Sequence, residues 1–129
     1  MAGPVLIIDS SDILGGKLGE ARAAIRSLTK FVEENEPRVL SYTVYLDAAG
    51  TRMTVVQLHP DSASLERHLD EAAAVFRQFK GLIRMTSMDV YGRPSDTLLE
   101  RLRRKALVLG NADVTVHRAH AGFTRPWAP

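Results

Sequence analysis

Cysteine is absent from the 129-residue chain, so disulfides, thiolate metal sites and cysteine nucleophiles are all excluded. Long apolar runs are missing too. No stretch approaches the roughly 20 residues that a membrane-spanning helix needs, and no membrane association is expected. Nor is there a large excess of one charge: the formal net charge is +2. The densest basic cluster, Arg101, Arg103, Arg104 and Lys105, falls near the end of a predicted helix. Cations there complement the helix dipole, which fits a solvated helix end rather than a nucleic-acid surface. The apolar run Val5 to Ile8 has no basic segment before it and acidic Asp9 and Asp12 after it. That is the pattern of a strand, not of a secretory signal, and a cytoplasmic location is the expectation.

What is present is the composition of a folded domain, with 45% apolar and 25% charged residues. A single domain over residues 1–129 is expected. Val5 to Ile8 reads as a strand closed by a polar loop, Asp9 to Asp12. Leu14, Leu18, Ala21, Ile25, Leu28 and Val32 then recur at steps of four and three, one apolar stripe on a long helix that Pro37 stops. Val39 to Leu46 and Thr51 to Leu58 read as a hairpin turned at Asp47 to Gly50. A second helix is capped by Asp61 or Ser62, carries the stripe Leu65, Leu69, Ala72, Phe76 and Phe79, and ends at Gly81. Leu82 to Tyr91 is the fourth strand. A third helix follows, capped by Ser95, with Leu99, Leu102, Ala106 and Leu109 on its stripe and Gly110 as its C-cap. Val114 to Phe123 reads as a fifth strand, and Thr124 to Pro129 as a loose tail. The order βαββαβ is the ferredoxin-like α+β pattern, expected over residues 4–91, with an added C-terminal helix and strand over 94–125.

The strands carry one more inference. Strand two alternates Leu40, Tyr42, Val44 and Leu46 with Val39, Ser41, Thr43 and Tyr45, and neither set holds a charge. A sheet with water on one side shows a plainly polar face. The second face is therefore expected to be covered, by the third helix and fifth strand, by a partner subunit, or by both. One added strand is too little to cover four, which favours a homodimer.

Motifs for chemistry are sparse. Ser27-Leu-Thr-Lys30 has serine–lysine nucleophile spacing but lies on a regular amphipathic helix without a companion motif. Gly15-Gly16-Lys17 lacks the remaining residues of a phosphate loop. His117 and His120, three apart on a predicted strand, point to opposite faces and share no metal readily. His59 ends strand three and His68 lies in helix two, so this pair can converge at the sheet–helix cavity, without a third ligand for a metal. No metal site is expected. Tyr42, Tyr45, Gln57 and Met85 are candidates to line the same cavity.

Glu36-Pro-Arg-Val-Leu-Ser-Tyr42, Gln57-Leu-His-Pro-Asp-Ser-Ala-Ser-Leu-Glu-Arg-His68 and Phe76 carry a further signal. From Glu34 to Phe79 the chain resembles the antibiotic biosynthesis monooxygenase family of dimeric α/β barrels. Gln57 and His59 stand where relatives commonly carry Glu and Trp, and Ala72 to Val75 where a second His is often found. The resemblance implies a homodimer, a buried cavity for a small apolar or aromatic molecule, and oxygenation without a cofactor. On that reading His59 or His68 is the catalytic base, and Tyr42, Gln57, Phe76 and Met85 bind substrate. The alternatives are a non-catalytic ligand-binding or regulatory dimer of the same fold, or an isomerase or lyase acting on a small acid or lactone.

Overall fold

The computed structural model describes residues 3–125. Most of the expected loose tail, from residue 126 on, lies outside them. The elements are β1 (Val5–Ile13), α1 (Leu18–Asn35), β2 (Ser41–Leu46), β3 (Arg52–His59), α2 (Ser62–Glu71), α3 (Ala73–Phe76), a 3-10 turn (Arg77–Phe79), β4 (Ile83–Tyr91), α4 (Asp96–Gly110) and β5 (Asp113–His117). The sheet order is β2-β3-β1-β4-β5. The first four strands pair antiparallel, and β5 joins the β4 edge in parallel. This is the ferredoxin-like α+β arrangement with an added helix and strand. Among the described residues no helix is long and apolar enough to cross a membrane.

Four local expectations are corrected. Asp9 to Asp12 is not a loop: β1 is central, and β3 and β4 flank it through Asp12, so ladder pairing on both sides overrides the weak strand propensity of Asp-Ser-Ser-Asp. The second helix breaks at Ala72, which leaves helical geometry at φ −88° and ψ 2°. No Gly or Pro marks the break, and the inward stripe continues across it through Phe76 to a buried Phe79. β5 ends at His117, so His120 and Phe123 lie outside the strand. The Arg101–Lys105 cluster sits in mid-helix rather than at a solvated end. Arg101 reaches Asp70 of α2 at 2.6 Å, and Lys105 turns inward.

The buried residues of all three long helices pack on one face of the sheet. Ala24, Leu28 and Val32 of α1 meet Met53 and Val55. Leu65 and Leu69 of α2 join Leu98, Leu102 and Ala106 of α4 over Val5, Ile7, Met85, Met88 and Val90. The third helix therefore does not cover the second face, as the sequence had allowed. A bulge lets both Met85 and Met88 face the core: Ser10 pairs with Ser87 and Ser11 with Met85, leaving Thr86 as the extra residue. The Thr86 hydroxyl donates to the Ser10 carbonyl at 3.1 Å.

Helix caps are partly as expected. Asp61 accepts from the Ser64 amide at 2.9 Å, and the Ser95 hydroxyl from the Leu98 amide at 3.1 Å. The cap at the end of α4, however, is Asn111, in the left-handed region at φ 55°. Gly110 serves another purpose. A Cβ there would collide with the Met85 carbonyl oxygen and lie 2.6 Å from the Met85 amide nitrogen, so glycine lets the helix end rest on the β4 backbone at the bulge. Gly110→Ala is expected to lower stability by about 1–3 kcal/mol through overpacking, measured as a fall in urea midpoint at constant slope. An unchanged midpoint would show that α4 can lift off β4 without cost.

Candidate functional site

A layer of polar side chains is buried between sheet and helices: Asp9, Ser11, Glu36, Gln57, His59, Ser64 and His68 are each at most 5% exposed. Asp9 and Ser11 come from β1, Gln57 and His59 from β3, Ser64 and His68 from α2, and Glu36 caps the C-terminus of α1. The alternation of β1 and β3 puts all four strand residues on the helix side.

The two histidines come together, with ring centroids 5.7 Å apart, but their settings differ. His59 is fully engaged: Nδ1 lies 2.9 Å from the Ser64 hydroxyl and Nε2 2.8 Å from the Gln57 carbonyl oxygen. Burial, then the neighbouring His68, push its pKa down to about 4, so it is neutral at ordinary pH. His68 Nδ1 meets Glu36 Oε1 at 2.7 Å. Against a carboxylate acceptor that nitrogen carries the hydrogen, which leaves Nε2 as a lone pair. Nε2 and Glu36 Oε2 are both buried with no partner among the described residues. Burial lowers the His68 pKa, while the Glu36 contact opposes that. Tyr42 and Phe76 pack on the His68 ring at 5.2 and 5.1 Å between centroids.

Beyond Tyr42 and Phe76 lies a small, partly open cavity of about 30 Å³, with Asp9, Met85 and Lys105 also in its wall. That space is about one water molecule. Burial raises the Asp9 carboxyl to about 6, partly offset by the Lys105 ammonium. Burial lowers the pKa of Lys105 in turn, and its Nζ sits 3.6 Å over the Phe76 ring. The Tyr42 phenol is held well above its ordinary value, by burial first and then by Asp9 and Glu36, so it stays protonated. Of the residues read from the sequence, Tyr42, Phe76 and Met85 line this cavity, whereas Gln57 is spent on His59. Tyr45 is 56% exposed and faces the other side of the sheet. Among the described residues no three His, Asp or Glu are grouped for a metal.

Sequence reasoning missed Asp9, Glu36 and Lys105. Asp9 was hidden by its loop-like neighbours and Lys105 by its basic ones. Glu36 had a signal, the Glu-Pro step after α1, but it was read only as part of the resemblance.

No protein-family model and no curated protein matches the chain. Solved structures do. MupZ from Pseudomonas fluorescens superposes with a TM-score of 0.74 at 17% identity, over 96% of each chain. A Caulobacter crescentus protein assigned to the antibiotic biosynthesis monooxygenases gives 0.62 at 17% identity, over 69% of this chain and 88% of that one. The fold is that of the antibiotic biosynthesis monooxygenase-like proteins. SnoaB from Streptomyces nogalater, a cofactor-independent oxygenase, shares this fold at a TM-score of 0.61 and 11% identity, over 73% of this chain and 96% of SnoaB. Within the antibiotic biosynthesis monooxygenase-like fold, the buried polar layer lies between the sheet and its helices.

The raised Asp9 carboxyl makes a testable demand on stability. Below about pH 3 it is protonated in folded and unfolded chains alike and costs nothing. Between 3.8 and about 6 the unfolded chain ionises first, so native stability falls as pH rises; above about 6 the cost is constant, about 3 kcal/mol. Asp9→Asn removes this titration. The stability difference, variant minus parent, should be flat below about pH 3, grow in favour of the variant through about pH 6, and level off by about pH 7. Histidine protonation at low pH affects both proteins and cancels. A pH-independent difference in denaturant titrations would refute a buried carboxyl of this kind.

Proposed function

We propose that the chain is a cofactor-independent oxygenase that deprotonates a small electron-rich aromatic molecule, of anthrone or hydroquinone type, and lets the resulting anion react with dioxygen. The observation that carries this is the Asp9 carboxyl, buried on a cavity beside Tyr42 and Lys105 with no donor to it among the described residues. SnoaB, a cofactor-independent oxygenase of the same fold, supports the class of reaction.

For an anthrone-type CH₂ the balance is R₂CH₂ + O₂ → R₂C=O + H₂O: one oxygen atom becomes the carbonyl, the other leaves as water, and the substrate supplies the electrons. Asp9 takes the proton, acting best when ionised in a water-poor site. The Tyr42 hydroxyl and Lys105 ammonium stabilise the carbanion oxygen. His68, held by Glu36, backs Tyr42 and Phe76 and is a positioning residue in this scheme; His59, with both nitrogens engaged, has a structural one. The cavity is too small for an aromatic ring, so substrate must widen it toward the groove that shares Phe76 and Lys105, with both side chains remaining in its wall. With a panel of anthrones and hydroquinones and metal-free protein, oxygen uptake should rise with pH through about 6 as Asp9 ionises. Asp9→Asn should lose at least 100-fold in kcat/KM, the scale of one positioned base. Uptake no faster than with Asp9→Asn for every substrate would sink the reading.

The homodimer is part of the same proposal. On the sheet face away from the helices, Leu6 pairs with Leu58 and Ile8 with Val56, all four half-buried. Tyr45, 56% exposed, stands beside them. An apolar stripe at the centre of a sheet favours a second sheet over water. Sedimentation should give about 28 kDa, twice the 14.2 kDa of one chain, and Ile8→Asp should give a folded monomer. A wild-type monomer at micromolar concentration would overturn the assembly.

A further inference from the structure

Beside the Asp9 cavity, a groove of about 450 Å³ runs between α4 and the segment from α3 to the start of β4. Its volume is that of a small-molecule site. Its apolar lining is Leu69, Phe76, Ile83, Leu109 and, exposed at the rim, Val108. Its other lining residues, apart from Gly81, are all cationic: Arg77, Lys80, Arg101, Arg104 and Lys105. Among the described residues no carboxylate lines it. Asp70 meets Arg101 at 2.6 Å, Glu100 meets Arg104 at 3.5 Å, and Asp9 shares the adjoining cavity with Lys105. Five positive groups on one groove, in a chain with a net charge of only +2, are a local concentration and not a reflection of composition.

The five cations divide by depth. Lys105 is turned inward over Phe76 and also walls the Asp9 cavity. Arg101 is tied to α2. Arg77 and Lys80, on the 3-10 turn and just after it, and Arg104, on α4, are exposed and stand on opposite sides of the groove. A neutral apolar ligand would use the apolar lining and leave Arg77 and Lys80 unanswered and Arg104 with only its exposed contact to Glu100. An inorganic anion would meet the charges and leave the apolar lining wet. Only a molecule with an apolar body and an anionic end answers both.

We propose that this groove binds an amphipathic carboxylate, its apolar body on Phe76, Ile83 and Leu109 and its carboxylate held by Arg77, Lys80 and Arg104. The opposite end of such a molecule points past Lys105 toward Asp9 and Tyr42. This deepens the reading of the Asp9 cavity as a reaction site, since it gives the substrate a carboxylate remote from the reacting carbon. Remote binding of that kind orients a reacting end without touching it.

The test uses an unreactive matched pair, 2-naphthoate and 2-naphthamide, titrated calorimetrically into the full chain. In 50 mM salt the carboxylate should bind about tenfold more tightly than the amide, as expected for a few partly exposed charge contacts. Raising salt to 500 mM should close most of that gap, because the cations lie at the surface. The triple variant Arg77→Ala, Lys80→Ala, Arg104→Ala should bring the ratio close to one while leaving the amide affinity unchanged, which also reports that the groove is still folded. Equal affinities in the parent protein, a ratio insensitive to salt, or no saturable binding of either probe would each overturn the proposal. Because neither probe turns over, the result is separate from oxygenation. Carboxylate-selective binding without oxygen uptake from any substrate would remove the oxygenase and leave the groove.

Discussion

β1 is hydrogen-bonded along both edges, to β3 on one side and β4 on the other, and most of what is unusual in this molecule follows from that placement. A central strand has no free backbone edge and no choice of face. Once Val5 and Ile7 point to the helices, Asp9 and Ser11 must follow them by the two-residue alternation. A carboxylate is thereby carried into an apolar interior that its own chemistry opposes, and its proton affinity rises in answer. Among the described residues no hydrogen bond relieves this. The fold places a lysine, a tyrosine and a small cavity there instead. Unrelieved burial of this sort reduces stability, and proteins tend to keep it where the perturbed group has work to do.

The same layer holds a contrasting solution on the neighbouring strand. His59 is satisfied at both nitrogens, by Gln57 from its own strand and Ser64 from α2. Such a residue locks the β3–α2 corner and has no spare valence for substrate. His68 is satisfied only on its Glu36 side, and its other nitrogen is buried without a partner. Aromatic rings of Tyr42 and Phe76 stand against it. Two histidines that look alike in the sequence are therefore different chemical objects, and which of them is which depends on neighbours 2 to 32 residues away.

The parts of the fold that the sequence revealed were those with strong periodicity. The hairpin through Gly50 and the caps at Asp61 and Ser95 rest on local spacing or local hydrogen bonding and hold in the structure, and so does most of the helix stripes, with Leu14 left outside α1 and Leu98 rather than Leu99 buried at the start of α4. The second half of β1 rested on partners distant in sequence, so Asp-Ser-Ser-Asp read as a loop. The break at Ala72 carries no breaker residue and is set by packing. In the site, Tyr42, Phe76 and Met85 could be picked out as aromatic or soft side chains on inward positions. Asp9 and Lys105 could not, because burial of a charged residue is a tertiary outcome that neither composition nor periodicity records.

The C-terminal helix and strand look in sequence like an appendix to a complete βαββαβ unit, but the structure gives α4 a share in the interior. Leu98, Leu102 and Ala106 enter the same core as α2, and one turn of the helix brings Lys105 and Leu109 to the cavity wall. That reach depends on how closely the helix end approaches the sheet. Gly110 rests on the Met85 backbone, beside the bulge at Thr86 that keeps Met85 and Met88 both facing inward. A larger residue at 110 would move α4 outward and carry Lys105 away from Asp9 with it. The match to MupZ spans 96% of this chain, so the shared architecture includes α4 and not only the four-stranded core. The electrostatics of the buried carboxyl thus rest on a backbone contact near the end of the last helix, which ties the chemistry of β1 to the packing of α4.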